Sequence, residues 1–253
     1  MCILMVLYQS VPGYPIVVAA NRDEYYDRPA EGPQQLLAAP LAWGGRDARA
    51  GGTWFGLNAH GLVIGLTNRR THEDQENDPQ RRSRGLLCLD ALQCRSATEA
   101  AAFLAAEPPA RYNAFNLLMI DQYELLWAAY DDTPRLQPLA PGLHVLTNGN
   151  INDADTVRIQ RARRLLQHAP ALAWSDCLPL LEDVCRDHEH GVTERETLCM
   201  HRLDGRYGTV SSTILALTAP LTGSVYRYAP GHPCTVPYTD YVGLLALPRL
   251  SPV

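Results

Sequence analysis

The stretch CILMVLYQSVPGYPIVVAANRDE, residues 2–24, contains two apolar runs of strand length on either side of Pro12-Gly13. A Pro-Gly pair between two such runs is a strong turn signal and predicts an antiparallel hairpin. In a hairpin centred there, paired residues have numbers that sum to about 25. We therefore expect Cys2 to lie beside Asp23, with Arg22 and Glu24 next to it.

This placement has a chemical consequence for Cys2. Removal of Met1 would leave a free α-amine on the residue that carries the thiol. The ordinary pKa of an α-amine is about 7.7–8.0 and that of a thiol about 8.5, so the amine can act as base for the thiol. Arg22 would favour the thiolate, and Asp23 would hold the ammonium. Cys2 is therefore a candidate nucleophile; as a single residue, a cysteine near a chain start is more often an inert core residue.

Two asparagines follow predicted strands in a way that suits acyl transfer. Residues 53–58 and 62–67 read as a second hairpin that ends at Asn68, and the strand 143–147 ends at Asn148. Side-chain amides at such positions can donate to the oxyanion of a transition state. The alternative for either asparagine is a turn cap that satisfies its own backbone.

The rest of the chain alternates between helical and strand patterns. The adjacent glycines at 51–52 suggest that another segment or a ligand approaches the backbone closely. We predict α+β layers rather than a parallel sheet, in one domain over residues 1–253. Further helices are predicted at 85–94, after Ser96, at 155–167 and at 176–188, and further strands at 115–120, 125–130, 208–218 and 224–228.

Composition excludes several classes of function. The net charge is −5, without the basic face that nucleic acid requires. The start lacks the features of a secretory signal, and no apolar stretch is long enough to span a membrane. Seven cysteines without Cys-x-x-Cys spacing argue against a disulfide framework and a structural zinc site. We expect a cytoplasmic protein with free thiols and no resident metal.

Three further patterns offer binding groups. Arg81-Arg82-Ser83-Arg84 could contact an anionic substrate group, although a charge run is usually a solvated face. Trp54 could line a pocket for an acyl group or a porphyrin, although aromatics are more often core. Cys199-Met200-His201 offers soft ligands for haem iron, although a buried turn is the commoner role.

Several motifs together resemble one known family. The opening Met1-Cys2-Ile3, the run Ala20-Asn21-Arg22-Asp23-Glu24 and the segment 51–56 are similar to the NRDE family, that of transport and Golgi organisation protein 2. The resemblance continues through 66–68, 113–117 and 207–209, so it covers nearly the whole chain. The chain looks more distantly like the choloylglycine hydrolase and penicillin V acylase branch of N-terminal-nucleophile hydrolases.

That resemblance implies a fold and a site. The fold is a four-layer αββα sandwich of two antiparallel sheets. Cys2 corresponds to the nucleophile, and Arg22 with Asp23 to the neighbouring arginine and aspartate, with Asn21 or Glu24 as alternative equivalents. Asn68 and Asn148 are similar to the two oxyanion asparagines, and Arg206 is the nearest candidate for a late arginine of the branch.

Two functions follow as hypotheses. The first is a cysteine amidohydrolase that cleaves a small amide and needs no cofactor. Its substrate would contact Asn21, Glu24, Trp54, Arg84 and Arg206. The alternative is a non-catalytic carrier of haem or of an acyl-CoA-like or lipid ligand in the same cleft. If Met1 is retained, the α-amine mechanism fails. The sequence does not specify an oligomeric state.

Overall fold

The computed structural model describes residues 2–70, 77–189, 196–201 and 205–246. These residues form two antiparallel sheets. The strands, in chain order, are β1 Ile3–Val11, β2 Tyr14–Tyr25, β3 Ala30–Ala38, β4 Leu41–Asp47, β5 Phe55–Asn58, β6 Val63–Asn68, β7 Phe115–Ile120, β8 Leu125–Asp131, β9 Thr133–Pro138, β10 Gly142–Leu146, β11 Tyr207–Leu217, β12 Val225–Ala229 and β13 Thr239–Asp240. The first sheet has the order β10-β1-β2-β11-β12-β13, and the second runs from β3 to β9 in chain order.

Helices pack on the outer face of each sheet. They are α1 Arg84–Ala91, α2 Ala97–Ala105, α3 Val157–Leu166 and α4 Trp174–Arg186, and short 3₁₀ turns occur at Ala169–Ala171, Leu221–Gly223 and Val242–Ala246. Within the described part of the chain, no helix combines the length and the apolar character needed to cross a membrane.

Alternation along the strands builds three buried layers. On β1, Leu4 and Val6 face the second sheet, whereas Ile3 and Met5 face α3 and α4. A third apolar cluster fills the space between the second sheet and α1 and α2. Because successive side chains of a strand point to opposite faces, two sheets buried on both sides stack into four layers. The predicted αββα sandwich is confirmed.

Most predicted elements are present. The capping box at Ser96 is real, since the Ser96 hydroxyl accepts from the Glu99 N–H at 3.1 Å at the start of α2. The prediction missed β3, β4, β9 and β13. Strands β3 and β9 are the two edges of the second sheet, where exposed polar residues and prolines replace the alternating pattern.

The glycine pair separates into two roles. Gly51 has a φ of +72°, which suits a turn. A Cβ on Gly52 would lie 2.2 Å from the Gly85 carbonyl carbon and 2.6 Å from the Leu86 nitrogen. The predicted close approach is therefore made at Gly52, against the first turn of α1.

We expect Gly52→Ala to lower the free energy of unfolding by roughly 1–3 kcal/mol, because backbone atoms on both sides must shift. Gly149→Ala is the matched control, since its Cβ would meet only the Asp153 carboxylate at 3.7 Å. Denaturant unfolding of both variants measures the difference. Equal stability of the two variants would show that the backbone at Gly85 and Leu86 can shift without lowering the free energy of unfolding.

Candidate active site

The first hairpin brings Cys2 and Arg22 to the same face of the first sheet. Ile3 pairs with Asn21 and Leu4 with Ala20, so paired numbers sum to 24 rather than 25. The shift comes from an irregularity between Tyr8 and Val11. Extending the register places Cys2 opposite Arg22, and opposite residues share a face. The expected neighbour, Asp23, has its side chain on the other face.

Cys2 and Arg22 line a cavity of about 480 Å³ at the end of the inter-sheet layer. Seven of the ten residues predicted for the site line this cavity. They are Cys2, Arg22, Asp23, Glu24, Trp54, Asn68 and Arg84.

The Cys2 thiol is half-buried. Burial raises the pKa of Cys2 above its ordinary value, and the Asp23 carboxylate adds to that increase. The Asp23 backbone N–H and Arg22 act in the opposite direction but do not outweigh burial. As expected, Arg22 lowers the pKa of Cys2 and so favours the thiolate, but burial has the larger effect. A nucleophilic role for this thiol would therefore require a base that takes its proton.

Asp23 belongs to a buried ion pair on the helix side of β2. Its Oδ2 accepts from Arg158 Nη2 of α3 at 2.8 Å, and its Oδ1 accepts from the Thr209 hydroxyl at 2.6 Å. The Tyr207 hydroxyl donates to the Asp23 carbonyl at 2.6 Å. The predicted contact between Asp23 and an α-amine requires a chain without Met1, which lies outside the described residues. That contact stays a prediction.

Two guanidinium groups in the cavity have no carboxylate partner among the described residues. The Arg22 guanidinium lies 4.2 Å from the centre of the Trp54 ring, a cation–π contact. Arg84 donates to the Ala114 carbonyl at 2.9 Å, and burial, with Arg28 nearby, lowers the pKa of Arg84 to about 10. Trp54 therefore positions the Arg22 guanidinium. Both Arg22 and Arg84 can bind an anionic group in the cavity.

The other cavity arginines are paired with carboxylates. Arg28 contacts Asp47 at 2.6 Å, Arg81 contacts Asp132 at 2.6 Å and Arg82 contacts Asp90 at 2.7 Å. The run at 81–84 thus contributes one unpaired cation, Arg84, rather than a free basic patch.

Three predicted site residues do not line the main cavity. The Asn148 amide nitrogen donates to the Asn68 backbone carbonyl at 2.5 Å, so Asn148 supports the end of β6 instead of facing Cys2. Asn21 donates to the Cys185 and Leu198 carbonyls at 2.9 and 3.0 Å, on the helix side of the sheet. Arg206 is exposed, and its carbonyl accepts from the Tyr26 N–H.

Sequence reasoning missed Arg28, Asp47 and Arg158. A signal existed for Arg158, because it falls on the buried stripe of α3 with Ala162 and Leu166, four and eight residues later. An arginine on an apolar stripe predicts a buried partner. Nothing in the local sequence marks Asp47 as the partner of Arg28.

Comparison with protein families gives a match over most of the chain. The family model described as Transport and Golgi organisation 2 matches residues 1–225. Among curated proteins, a Transport and Golgi organization 2 homolog from Mus musculus is 30% identical over 132 residues, 48% of this chain and 45% of that protein. The homolog from Bos taurus is 29% identical over 167 residues, 58% and 57% respectively. The chain thus spans about half the length of the curated relatives it matches.

Solved structures of N-terminal-nucleophile hydrolases have the same fold at low sequence identity. The penicillin V acylase from Agrobacterium tumefaciens has a TM-score of 0.60 at 13% identity, over 96% of this chain and 88% of that one. The N-acylethanolamine-hydrolyzing acid amidase ortholog of Caenorhabditis elegans has 0.56 at 15%, over 85% and 92%. A mutant conjugated bile acid hydrolase from Clostridium perfringens has 0.58 at 12%, over 95% and 92%.

Proposed function

The chain belongs to the Transport and Golgi organisation 2 family, and from this premise we propose that it is a cysteine N-terminal-nucleophile amidohydrolase. It would cleave a small non-peptide amide, with Cys2 as nucleophile after removal of Met1. A cytoplasmic location, where thiols stay reduced, is part of this proposal.

One observation carries the proposal. Cys2 and Arg22 lie together at a cavity large enough for a small molecule. Both are on the first hairpin, which was predicted from the sequence. The names of the structural neighbours, an acid amidase, an acylase and a hydrolase, support acyl-transfer chemistry for this fold. Because fold alone does not imply function, the side chains of the cavity are the main support for this activity.

The residues suggest how the reaction would run. The α-amine of Cys2 would accept the thiol proton as the sulfur attacks the amide carbon, and Arg22 would stabilise the developing negative charge on sulfur. Asn68 would donate to the oxyanion of the tetrahedral intermediate. The ammonium would return the proton to the leaving amine, and water would then cleave the thioester to release the acid and the free thiol.

Asn68→Ala should reduce kcat by about 100- to 1000-fold, because one oxyanion donor is lost. Substrate affinity should change little, since the donor acts mainly on the transition state. Asn150→Ala is the matched control: Asn150 is exposed two residues beyond Asn148 and does not line the cavity. Steady-state kinetics with a melting-temperature check measure both. If Asn68→Ala lowered substrate affinity and left kcat unchanged, Asn68 would contact the bound substrate and not the oxyanion of the transition state.

The proposal as a whole is tested by an amide panel. Intact mass first shows whether Met1 has been removed from the purified chain. Release of amine is then measured across small acyl amides, including acidic ones that could contact Arg22 and Arg84. Turnover by the Met1-free chain is expected. An absence of turnover across the panel, with saturable binding of haem or an acyl-CoA, would contradict the amidohydrolase proposal. It would instead support a non-catalytic carrier.

A further inference from the structure

Four soft donor side chains from three separate segments meet on the outer side of the first sheet, away from the cavity. His188 follows α4, Cys199 and His201 precede β11, and Cys234 follows β12. One ligand atom from each lies within 4.8 Å of the ligand atoms of the other three. Chain spacing could not reveal this set, since 11 residues separate His188 from Cys199 and 33 separate His201 from Cys234.

The distances are close to those of a tetrahedral site. In a tetrahedral zinc site, bond lengths of about 2.0–2.3 Å place neighbouring ligand atoms roughly 3.3–3.8 Å apart. His201 Nε2 lies 3.7 Å from the Cys199 sulfur and 3.3 Å from the Cys234 sulfur. Small side-chain rotations would bring the whole set to bonding distance.

A backbone contact orients one of the histidines. Nδ1 of His188 lies 3.1 Å from the Cys199 carbonyl oxygen. A carbonyl can only accept, so Nδ1 carries the proton and Nε2 keeps its lone pair. A metal-binding histidine commonly donates its other N–H to a backbone carbonyl in this way, which fixes the tautomer and the ring.

We propose that His188, Cys199, His201 and Cys234 form a metal site, and that Zn²⁺ is the ion it suits best. Two thiolates and two imidazoles in a tetrahedron are a donor set typical of zinc. Four protein ligands leave no open position, so the site is structural rather than catalytic. It suits a bare ion rather than haem, because haem iron offers protein ligands at most its two axial positions and this set has four donors.

The ion would stabilise the segment that packs against β2 on the side away from the cavity. The Leu198 carbonyl, next to Cys199, accepts from Asn21 at 3.0 Å and from Arg158 at 3.3 Å. Met200 and Thr209 exchange hydrogen bonds, both 2.8 Å, and the Thr209 hydroxyl donates to Asp23. Clamping residues 199–201 to α4 and to the loop after β12 would therefore fix Asp23, one residue from Arg22. This inference does not depend on the proposed amidase activity.

Metal content of the full chain, purified with a phosphine reductant, is the first test. Elemental analysis after Zn²⁺ saturation and removal of free ion should give one zinc per chain. Substitution with Co²⁺ should give the visible absorption of a tetrahedral site together with a sulfur-to-cobalt charge-transfer band. Removal of the ion by a chelator should lower the melting temperature.

Variants then assign the ligands. His188→Asn and Cys234→Ser alter a solvent-exposed and a half-buried ligand, so both should fold. Each should weaken Zn²⁺ binding by more than about 100-fold, since losing even an outer-shell partner typically costs 10- to 100-fold. Cys94→Ser and His168→Asn are the matched controls, because neither residue is in the cluster, and they should keep the ion and its affinity.

Three outcomes would overturn the site. The reduced wild-type chain could fail to bind Zn²⁺ stoichiometrically, or both ligand variants could keep the wild-type affinity. Peptide mapping without reductant could instead show Cys199 joined to Cys234 as the only stable state, which no added reductant and Zn²⁺ convert to a metal complex. Cys2→Ala should keep the ion, which separates this site from the cavity.

Discussion

Replacing Cys2 with alanine should lower kcat by about 10⁴-fold or more on any amide that the wild-type chain hydrolyses. The variant removes the sulfur that would form the thioester but leaves Arg22, Trp54 and Asn68 around the cavity. Substrate binding should therefore persist. Kinetics on the best amide of the panel, with Kd measured separately by calorimetry, show whether the loss falls on turnover.

Cys94→Ser is the control for loss of a thiol, because Cys94 is buried against the helices of the second sheet. It should retain turnover. If Cys2→Ala hydrolysed the amide as fast as Cys94→Ser, Cys2 would be a core residue and the nucleophile would lie elsewhere.

Arg158→Ala should lower the free energy of unfolding by about 3–5 kcal/mol, because it leaves a buried carboxylate without its counter-ion. The pair is almost fully enclosed, with 5% of the Arg158 side chain and none of the Asp23 side chain exposed. Urea or guanidinium unfolding measures the loss.

Arg164 on the same helix provides the matched control. Its side chain is 64% exposed and lies 3.9 Å from the Glu189 carboxylate. Arg164→Ala should change stability by less than about 1 kcal/mol. The double variant Asp23→Leu/Arg158→Leu should recover much of the loss, since paired apolar residues need no counter-ion. A stable Arg158→Ala would instead mean that Thr209 and water satisfy Asp23 alone.

The layers of the fold could be predicted because they depend on local patterns. Residues 2–8 and 16–21 alternate between two apolar faces, and Pro12-Gly13 determines where the chain turns. The capping box at Ser96 marked the start of α2 for the same reason. The edge strands β3 and β9 could not be predicted, because an exposed edge needs no apolar alternation.

The pairing of Cys2 on the first hairpin was predictable to within one residue. The irregularity after Tyr8 changes the sum of paired residue numbers in this hairpin from 25 to 24. A shift of one residue reverses which side chains of the two strands share a face. Cys2 therefore meets Arg22, and Asp23 turns toward Arg158. No turn signal in the sequence specifies such an irregularity, which depends on Gln9 adopting a φ of +47°.

Contacts between distant segments lay beyond sequence reasoning. Asp23 and Arg158 are 135 residues apart, and Asn148 reaches Asn68 across 80 residues. The sequence expectation of no structural zinc site rested on the absence of Cys-x-x-Cys spacing. The cluster of His188, Cys199, His201 and Cys234 is assembled by the sheet, and its spacing follows no local rule.

The most direct test of the amidohydrolase account is the mass of the N-terminal peptide, taken from the Met1-free chain quenched in acid during turnover of its best amide. The account predicts a peptide that begins at Cys2 and carries the acyl group of the substrate as a thioester, absent from Cys2→Ala. Hydrolysis by a chain whose N-terminal peptide still begins at Met1, or an acyl group found only on another residue, would contradict it.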